Sequence, residues 1–215
     1  MAQIPKHSTL GRPVNEQARA LRREQILAGA RMCVLRKGFH AATTAEISAM
    51  AKVSVANLYQ YFPTKDDLVR ALIDADLTSD LELLRIIEAA GSFREGLGMA
   101  TRLVAEGGDV EQESRLRLEI LAEASRNPAV AAVVKAADNR LVGALGELIS
   151  RYQGRGELSD QFAPTIAARV LISIYDGLVG RLAFGLDDTE QLLAAVDRFV
   201  LQALAPAPAA DRPAP

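Results

Sequence analysis

Apolar residues recur at intervals of three and four along almost the whole chain, and no stretch keeps the strict alternation of a half-buried strand. This periodicity predicts an all-α protein of about nine helices, separated by glycine, proline, asparagine and paired aspartate residues. The long helices are predicted over residues 15–38, 64–90, 93–107, 111–126, 129–152, 160–186 and 188–205.

Two short helices are predicted between the first two long ones. Thr43-x-x-Glu46 has the pattern of a capping box, in which two side chains bond the first free backbone N–H groups of a helix. Thr64-x-x-Asp67 repeats this pattern at the start of the next long helix. The two boxes therefore mark where two successive helices begin.

The turn between the short helices is predicted at Lys52-Val53-Ser54. The second short helix then runs to Phe62. Pro63 cannot continue it, because the proline ring removes a hydrogen-bond donor and clashes with the preceding turn. The segment thus has the plan helix, three-residue turn, helix.

Length and composition then limit the class of protein. The 215 residues, 49% of them hydrophobic and 24% charged, are enough to bury a sizeable core, and one cysteine cannot form an internal disulfide. A membrane-spanning helix needs about 20 apolar residues, and no stretch of the sequence offers them. The first twelve residues also lack the apolar run of a signal peptide. We therefore expect a cytoplasmic protein.

Charge is distributed unevenly along the chain. The net charge is −2, but residues 1–70 carry +6 and residues 71–215 carry −8. A basic N-terminal third joined to an acidic remainder is typical of a module that faces a polyanion such as nucleic acid. A chance fluctuation over a short segment is the alternative at this point.

The two short helices and the helix before them predict a three-helix unit with a helix-turn-helix, which places its second helix in the DNA major groove. Its core is predicted to contain Ile26, Ala30, Val34, Phe39, Ile47, Ala51, Val53, Leu58 and Phe62. The remaining face of the second short helix is small, polar and aromatic, without an acidic residue. An ordinary helical hairpin with a polar outer face is the alternative.

This unit resembles the TetR family of transcriptional regulators over about residues 20–70. The resemblance is carried by Arg22-x3-Ile26-Leu27-Ala28-x-Ala30, Lys37-Gly38-Phe39, Thr43-Thr44-x2-Ile47, Ala51-x-Val53-Ser54 and Leu58-Tyr59-x-Tyr61-Phe62-x2-Lys65-x2-Leu68. The later helices match the family in general plan. Within them, residues 116–128 are similar to the regulatory domain of one family branch.

Three positions depart from the family pattern. Lys52 stands where glycine usually ends the first short helix, Ser48 replaces a frequent alanine, and Ala56-Asn57 replaces a frequent glycine-threonine or glycine-serine pair. A lysine in the turn is strained if the backbone there needs a positive φ. It also adds a cation near the duplex. The departures leave the core intact and the base preference open.

The resemblance implies a set of DNA contacts. Thr44 is expected to cap the first short helix and touch phosphate, and Lys65 to hold a phosphate at the start of the next helix. The groove-facing part of the recognition helix would consist of Ser54, Val55, Ala56, Asn57, Tyr59, Gln60 and Tyr61.

The electrostatic attraction must come from flanking cations, because residues 53–64 carry no charge. The candidates are Arg19, Arg22, Arg23, Lys52, Lys65 and, in the arm, Lys6 and Arg12. Since the recognition helix has no arginine to bind guanine, we expect Asn57 and Gln60 to supply most base discrimination. Gly11-Arg12-Pro13 resembles an arm that enters the minor groove, with a disordered leader as the alternative.

Dimerisation is predicted at the last two long helices. Residues 160–186 are apolar on nearly every side and must be buried on every side. With the apolar stripe of residues 188–205 they predict a four-helix interface between two copies, which is also where the family dimerises. A dimer suits a palindromic operator. A buried helix in a monomer is the alternative.

The helices between residues 93 and 152 contain many small residues, which allow either close packing or a cavity. In the family this region encloses the inducer pocket. The candidate lining residues are Met99, Leu103, Leu118, Leu121, Ala122, Val134, Leu145, Ile172, Tyr175 and Phe184, each of which could instead be plain core. An apolar wall with few charges would suit a greasy or aromatic ligand.

Catalytic and metal sites find little support in the sequence. The two histidines and the single cysteine are too dispersed for a zinc cluster, and no glycine-rich loop follows a strand. We expect no enzyme activity, no cofactor and no metal. The rival hypothesis is a helical ligand-binding or adaptor protein whose basic N-terminus binds a protein or a membrane surface.

The predicted protein is a homodimeric transcriptional repressor, released from a palindromic DNA operator by a small, largely apolar inducer, with no membrane partner. Its predicted organisation is a flexible arm over 1–14, a helix-turn-helix DNA-binding domain over 15–65, a helical ligand-binding and dimerisation domain over 66–205, and a disordered tail over 206–215.

Overall fold

The computed structural model describes residues 16–108 and 110–206, so the predicted arm over 1–14 and the tail beyond Pro206 lie outside the described residues. The described residues form nine α-helices and no strand, which confirms the predicted fold class. The helices are α1 (Glu16–Ala41), α2 (Thr44–Met50), α3 (Val55–Tyr61), α4 (Lys65–Ala89), α5 (Phe93–Glu106), α6 (Val110–Ala124), α7 (Pro128–Gly154), α8 (Pro164–Ala183) and α9 (Thr189–Ala203). None of these helices combines the length and the apolar content needed to cross a bilayer.

The first three helices build the predicted three-helix unit. All of its predicted core residues are buried except Val53, which is half-buried against the same cluster. α1 and the end of α2 approach closely at Gly29, where an added Cβ would lie 2.7 Å from the Cβ of Ala51. Nε2 of Gln25 also donates a hydrogen bond of 2.6 Å to the carbonyl oxygen of Ala51. The packing of α1 against α2 therefore depends on a glycine at position 29.

The caps of the short helices follow the prediction with one correction. Thr43, and not Thr44, is the N-cap of α2: its hydroxyl accepts the backbone N–H of Glu46 at 3.2 Å, and the Glu46 carboxylate accepts the N–H of Thr43 at 3.1 Å. A cap residue must lie outside the helix with an extended backbone, whereas Thr44 is already helical. Thr64 caps α4 as predicted, and Ser54, the last residue of the predicted turn, caps α3.

Three helix ends differ by three or four residues from their predicted positions. α1 continues one turn past Gly38, which forms a kink with φ 74° and ψ 166°. α8 begins at Pro164 and not at Asp160, because proline suits the first turn of a helix and forces the preceding residue out of the helical region. α8 ends two residues before Gly185, whose φ of 58° does not continue a helix.

α4 belongs to both halves of the molecule. Its first part places Leu68 and Leu72 in one core with α1, α2 and α3, and its last part places Ile87 in a second core with α5, α7, α8 and α9. The hydroxyl of Tyr152 donates a hydrogen bond of 2.8 Å to the carbonyl oxygen of Ile87. The predicted boundary between residues 65 and 66 therefore falls at the start of a helix that both units share.

The Gly29→Ala substitution is expected to lower the free energy of unfolding by about 1–3 kcal/mol, because the added methyl group overlaps Ala51 and forces two helices apart. Gly143→Ala in α7 is the matched control. Nothing lies within 4 Å of a Cβ added there, so alanine should raise stability by about 0.5–1 kcal/mol. Urea unfolding followed by circular dichroism measures both variants. Equal effects would contradict the close approach at Gly29.

Candidate DNA interface and ligand cavity

The outer face of α3 is the first candidate site. Ser54 caps this helix, its hydroxyl accepting the backbone N–H of Asn57 at 3.1 Å, and the buried Leu58 anchors it on the core. These contacts leave one face of the helix exposed. Its exposed residues are Val55, Ala56, Tyr59 and Gln60.

Several side chains of this face bond to one another. Nδ2 of Asn57 donates a hydrogen bond of 3.0 Å to Oε1 of Gln60, and a hydroxyl–hydroxyl hydrogen bond of 3.3 Å joins Thr44 to Tyr59 across α2 and α3. Tyr61 is half-buried against the core. Because each amide has two donors and a two-fold acceptor, the Asn57–Gln60 pair keeps donors and acceptors for base edges.

Lys52 lies in the turn before α3 with a φ of 52°, the only positive φ of a non-glycine residue in the described part of the chain. This confirms that the turn needs the conformation that strains a lysine. The left-handed region costs an L-amino acid roughly 1–2 kcal/mol. The Lys52 side chain is exposed next to the recognition helix, so it adds a cation to this surface.

Three of the expected phosphate-binding cations have partners within the protein. Nη1 of Arg22 donates a hydrogen bond of 2.9 Å to Oε1 of Gln25. Nζ of Lys65 donates to the carbonyl oxygens of Phe39 and, at 3.4 Å, of His40, and so holds the kinked end of α1 against α4. The guanidinium of Arg23 lies 5.3 Å from the centre of the Phe62 ring. The arm residues Lys6 and Arg12 lie outside the described residues.

The second candidate site is a cavity of about 640 Å³ enclosed by α4 to α9, with one residue from α1. A cavity of this size accommodates a drug-sized molecule. Most of the side chains around it are apolar. Four of the predicted lining residues lie on its wall: Leu103, Leu145, Ile172 and Tyr175.

The other six candidates lie off the cavity wall: Met99, Leu118, Leu121, Ala122, Val134 and Phe184. α6 turns Val110, Ser114 and Arg117 toward the cavity, which leaves Leu118 out of phase. Met99, Leu121 and Phe184 are between 43% and 68% exposed. Val134 packs against the core of the three-helix unit.

Charged side chains occupy part of the cavity wall, which corrects the expectation of few charges. Arg117 of α6 contacts two carboxylates of α4: its Nε lies 3.1 Å from Oδ1 of Asp76, and its guanidinium also pairs with Asp80. Asp176 of α8 is a third carboxylate on this wall. We call Asp76, Asp80, Asp176 and Arg117 the acidic end of the cavity.

Burial controls the protonation of the acidic end. It raises the pKa of Asp76 to about 6, an effect that Arg117 opposes and that repulsion from Asp80 and Glu113 reinforces. Burial also raises the pKa of Asp176, again against the attraction of Arg117. Carboxylates whose charged form is disfavoured in this way mark a place where a further positive charge would be stabilising.

A second polar contact joins α5, α8 and α9. Oγ1 of Thr101 donates a hydrogen bond of 2.9 Å to Oδ1 of Asp197, and the hydroxyl of Tyr175 donates to the same oxygen at 3.2 Å. Burial raises the pKa of both Tyr175 and Asp197. Thr101 and Tyr175 also line the cavity, so this contact orients two of its polar groups.

The sequence interpretation missed the contribution of α4 to the cavity, because acidic residues on a helix usually mark a solvated face. Asp76, Asp80, Leu83 and Ile87 follow one another at intervals of four, three and four, so one stripe of α4 carries both carboxylates and apolar wall. The sequence signal that could have indicated this wall is that two aspartates lie on the same stripe of α4 as the apolar residues.

Comparison with protein families gives two matches that divide the chain in order. Residues 26–72 match the model described as Bacterial regulatory proteins, tetR family. Residues 94–205, about half of the chain, match the model described as BetI-type transcriptional repressor, C-terminal. The first match spans the helix-turn-helix, and the second spans most of the helices around the cavity.

Individual relatives are transcriptional regulators. HTH-type transcriptional regulator UidR of Escherichia coli (strain K12) is 27% identical over 157 residues, which cover 73% of this chain and 79% of that protein. HTH-type transcriptional repressor Rv1474c of Mycobacterium tuberculosis is 29% identical over 184 residues, which cover 86% and 94%. The solved structure of Salmonella enterica GusR has a TM-score of 0.71 at 25% identity and covers 91% of this chain and 100% of its own.

Lys52→Gly is expected to raise the free energy of unfolding by about 1 kcal/mol, because glycine adopts the left-handed conformation without strain. Lys52→Gln removes the charge and keeps the strain, so its stability should stay within about 0.5 kcal/mol of the parent protein. Urea unfolding of the three proteins separates the two effects. Equal stabilisation by glycine and glutamine would show that charge repulsion, and not backbone strain, acts at this position.

Asp76 is expected to make stability fall as pH rises. Folding raises the pKa of Asp76 from 3.8 to about 6, so the folded protein binds this proton more tightly than the unfolded chain does. The resulting contribution to the free energy of unfolding is complete below about pH 4 and is lost as the pH rises through 6. The difference between these limits is about 3 kcal/mol. Urea unfolding between pH 4 and pH 7 should show this fall in the parent protein and a clearly smaller fall in Asp76→Asn, because Asp176 and Asp197, whose pKa values burial also raises, remain.

Asp74→Asn, at an exposed position of the same helix, is the control for this prediction and should retain the full pH dependence. Parallel pH curves for Asp76→Asn and the parent protein would contradict the assignment to Asp76.

Proposed function

The chain belongs to the TetR family of bacterial regulatory proteins, and we propose that it is a repressor that binds a palindromic operator as a homodimer and leaves it when a small, largely apolar ligand binds. That it is a DNA-binding transcriptional regulator, and not an enzyme, follows from the family itself. The observation that carries the finer proposal is α4, which joins the three-helix unit to a cavity of ligand size.

In this proposal α3 enters the major groove and Asn57 and Gln60 discriminate the bases. Each amide can bind adenine with two hydrogen bonds, and the helix offers no arginine for guanine. Hydroxyl groups and cations around the helix contact the sugar–phosphate backbone and position the protein on the duplex. The residues assigned to backbone contacts or close approach are Thr44, Lys52, Ser54, Val55, Ala56, Tyr59, Tyr61 and Lys65.

The dimer interface is assigned to α8 and α9. Ile166, Val170 and Phe199 are 53%, 54% and 60% exposed in the single chain. Exposed large apolar side chains on both helices are the kind of surface that an interface between proteins would bury. Two copies related by a two-fold axis would bury these faces and present two recognition helices to a palindrome.

Ligand binding releases the operator by shifting α4. Lys65 fastens the start of this helix to α1, while Leu83 and Ile87 near its end line the cavity. A ligand that binds better at one position of α4 changes the separation of the two recognition helices in the dimer.

Residues 15–65 are the DNA-binding domain and residues 66–205 the ligand-binding and dimerisation domain in this assignment. Since its operator lies on a bacterial chromosome, we place the protein in the cytoplasm.

Fluorescence anisotropy on the duplex immediately upstream of the gene tests this proposal, with a length-matched random duplex and a salt series as controls. We expect selective binding of two subunits, or a multiple of two, per site. The logarithm of affinity should fall with the logarithm of salt concentration by about 0.9 per phosphate contacted. Weak binding that is equal on the random duplex, the upstream duplex and duplexes selected from a random pool would contradict a repressor and favour an adaptor.

Asn57→Ala and Gln60→Ala are each expected to weaken operator binding by about 1–3 kcal/mol and to leave binding to the random duplex almost unchanged, because amide contacts to base edges carry sequence information. Lys52→Gln is the matched control for a phosphate contact. It should weaken binding to both duplexes and reduce the salt slope by about 1. Equal weakening on both duplexes by the amide variants would contradict their role in base discrimination.

A further inference from the structure

The charged side chains around the cavity fall into two groups. The first group is paired and neutral in sum: Arg31 of α1 pairs with Glu113 of α6, and Glu82 pairs with Arg85 within α4. These pairs need no further partner. The second group is the acidic end, where the charges do not balance.

The acidic end has three carboxylates and one guanidinium, which pairs with two of them. Arg117 contacts Asp76 and Asp80, which leaves a net negative charge on the cavity wall once Asp176 is included. The side chains of Asp76, Asp80 and Arg117 are only 24%, 19% and 28% exposed. Water therefore screens these three charges less than it would on an open surface, whereas Asp176 itself is exposed.

Asp176 is the carboxylate without a partner. It makes no hydrogen bond and no ion pair with any residue in the described part of the chain, and Arg117 attracts it only over a longer distance. The nearby Asp138 and Asp80 repel it. Its side chain remains accessible on the cavity wall. A carboxylate in this position is stabilised by any cation that enters the cavity.

The rest of the wall selects the body of the ligand. Leu84, Leu97, Leu145 and Ile172 are among the apolar side chains that continue from the acidic end. A small inorganic cation would leave this apolar volume unfilled. Among the described residues, no group of three or more histidine, cysteine or acidic side chains is arranged to hold a metal ion. The wall instead fits a molecule with one charged group and an apolar remainder.

We propose that the ligand is an organic cation with an apolar or aromatic body, whose positive group binds at Asp176, Asp80 and Asp76. This inference rests on the proposed ligand response and names the chemical class of the inducer. An anionic ligand of the same shape would lie against three carboxylates, and a neutral one would cover the exposed Asp176 carboxylate without offering it a charge in place of water.

Three probes with the same apolar body and different charges test whether the ligand is a cation. Isothermal titration calorimetry of the whole protein at about pH 7.5 compares 4-phenylbutylamine, 4-phenyl-1-butanol and 4-phenylbutyrate, which are cationic, neutral and anionic. We expect the amine to bind about tenfold or more tightly than the alcohol, and the carboxylate to bind most weakly. Binding of the alcohol or the carboxylate as tight as that of the amine would overturn the proposal.

Asp176→Asn tests whether Asp176 causes the preference for the amine. It keeps the shape of the side chain and should weaken binding of the amine about tenfold while leaving that of the alcohol unchanged. Asp176→Glu should restore preference for the amine. Asp138→Asn removes a carboxylate that lies near Asp176 but off the cavity wall, and it should change neither affinity. Equal loss for the amine and the alcohol in Asp176→Asn would overturn the charge role.

Measuring operator release by each probe distinguishes a failure of this inference from a failure of the proposed function. Release by the alcohol or the carboxylate, but not by the amine, would leave the ligand response standing and overturn the preference for a cation. Intact operator binding with no binding of any of the three probes would contradict the ligand response and this inference together.

Discussion

The continuity of α4 is the constraint on which the rest of the molecule depends. Its 25 residues contain no glycine and no proline, and the capping box of Thr64 and Asp67 defines its start. A helix of this length spans about 38 Å. Its first half belongs to the core of the three-helix unit and its last half to the cavity wall, which is the basis of the proposal that a displacement at the cavity reaches the DNA-facing helices.

α6 is held to its neighbours by charge as well as by packing. Arg117 connects it to Asp76 and Asp80 of α4, and Glu113 connects it to Arg31 of α1. Partly buried ion pairs contribute little net stability, because desolvation offsets much of the attraction. The ion pairs of Arg117 thus link α6 to α4 in addition to the apolar cores. This gives the cavity a second connection to the DNA-binding unit, through α1.

Features set by a few neighbouring residues could be predicted from the sequence. The cap at Thr64 and the strained turn at Lys52 depend on backbone chemistry within one helical turn. Adjacent residues of the same type are harder: Thr43 and Thr44 can both cap a helix, and the backbone conformation decides between them. Thus local rules predicted which helices form and nearly where each begins.

The cavity could be predicted only in part, because its wall depends on how six helices are rotated against one another. Leu145 and Leu118 look alike in the sequence, yet only Leu145 faces the cavity. The spacing of Asp76 and Asp80 is that of a solvated helix face, yet Arg117 of α6 lies opposite them. Rotation of a packed helix is set by contacts between residues far apart in the chain, which periodicity within one helix does not contain.

The most direct test of this coupling is the distance between the two recognition units in the dimer. Spin labels on a cysteine at position 45, an exposed alanine of α2, report this distance by electron–electron resonance, while the native Cys33 is buried. We predict one distance in the operator complex, a different one in protein saturated with 4-phenylbutylamine, and both in the free protein. The same single distance in all three samples would contradict release through α4.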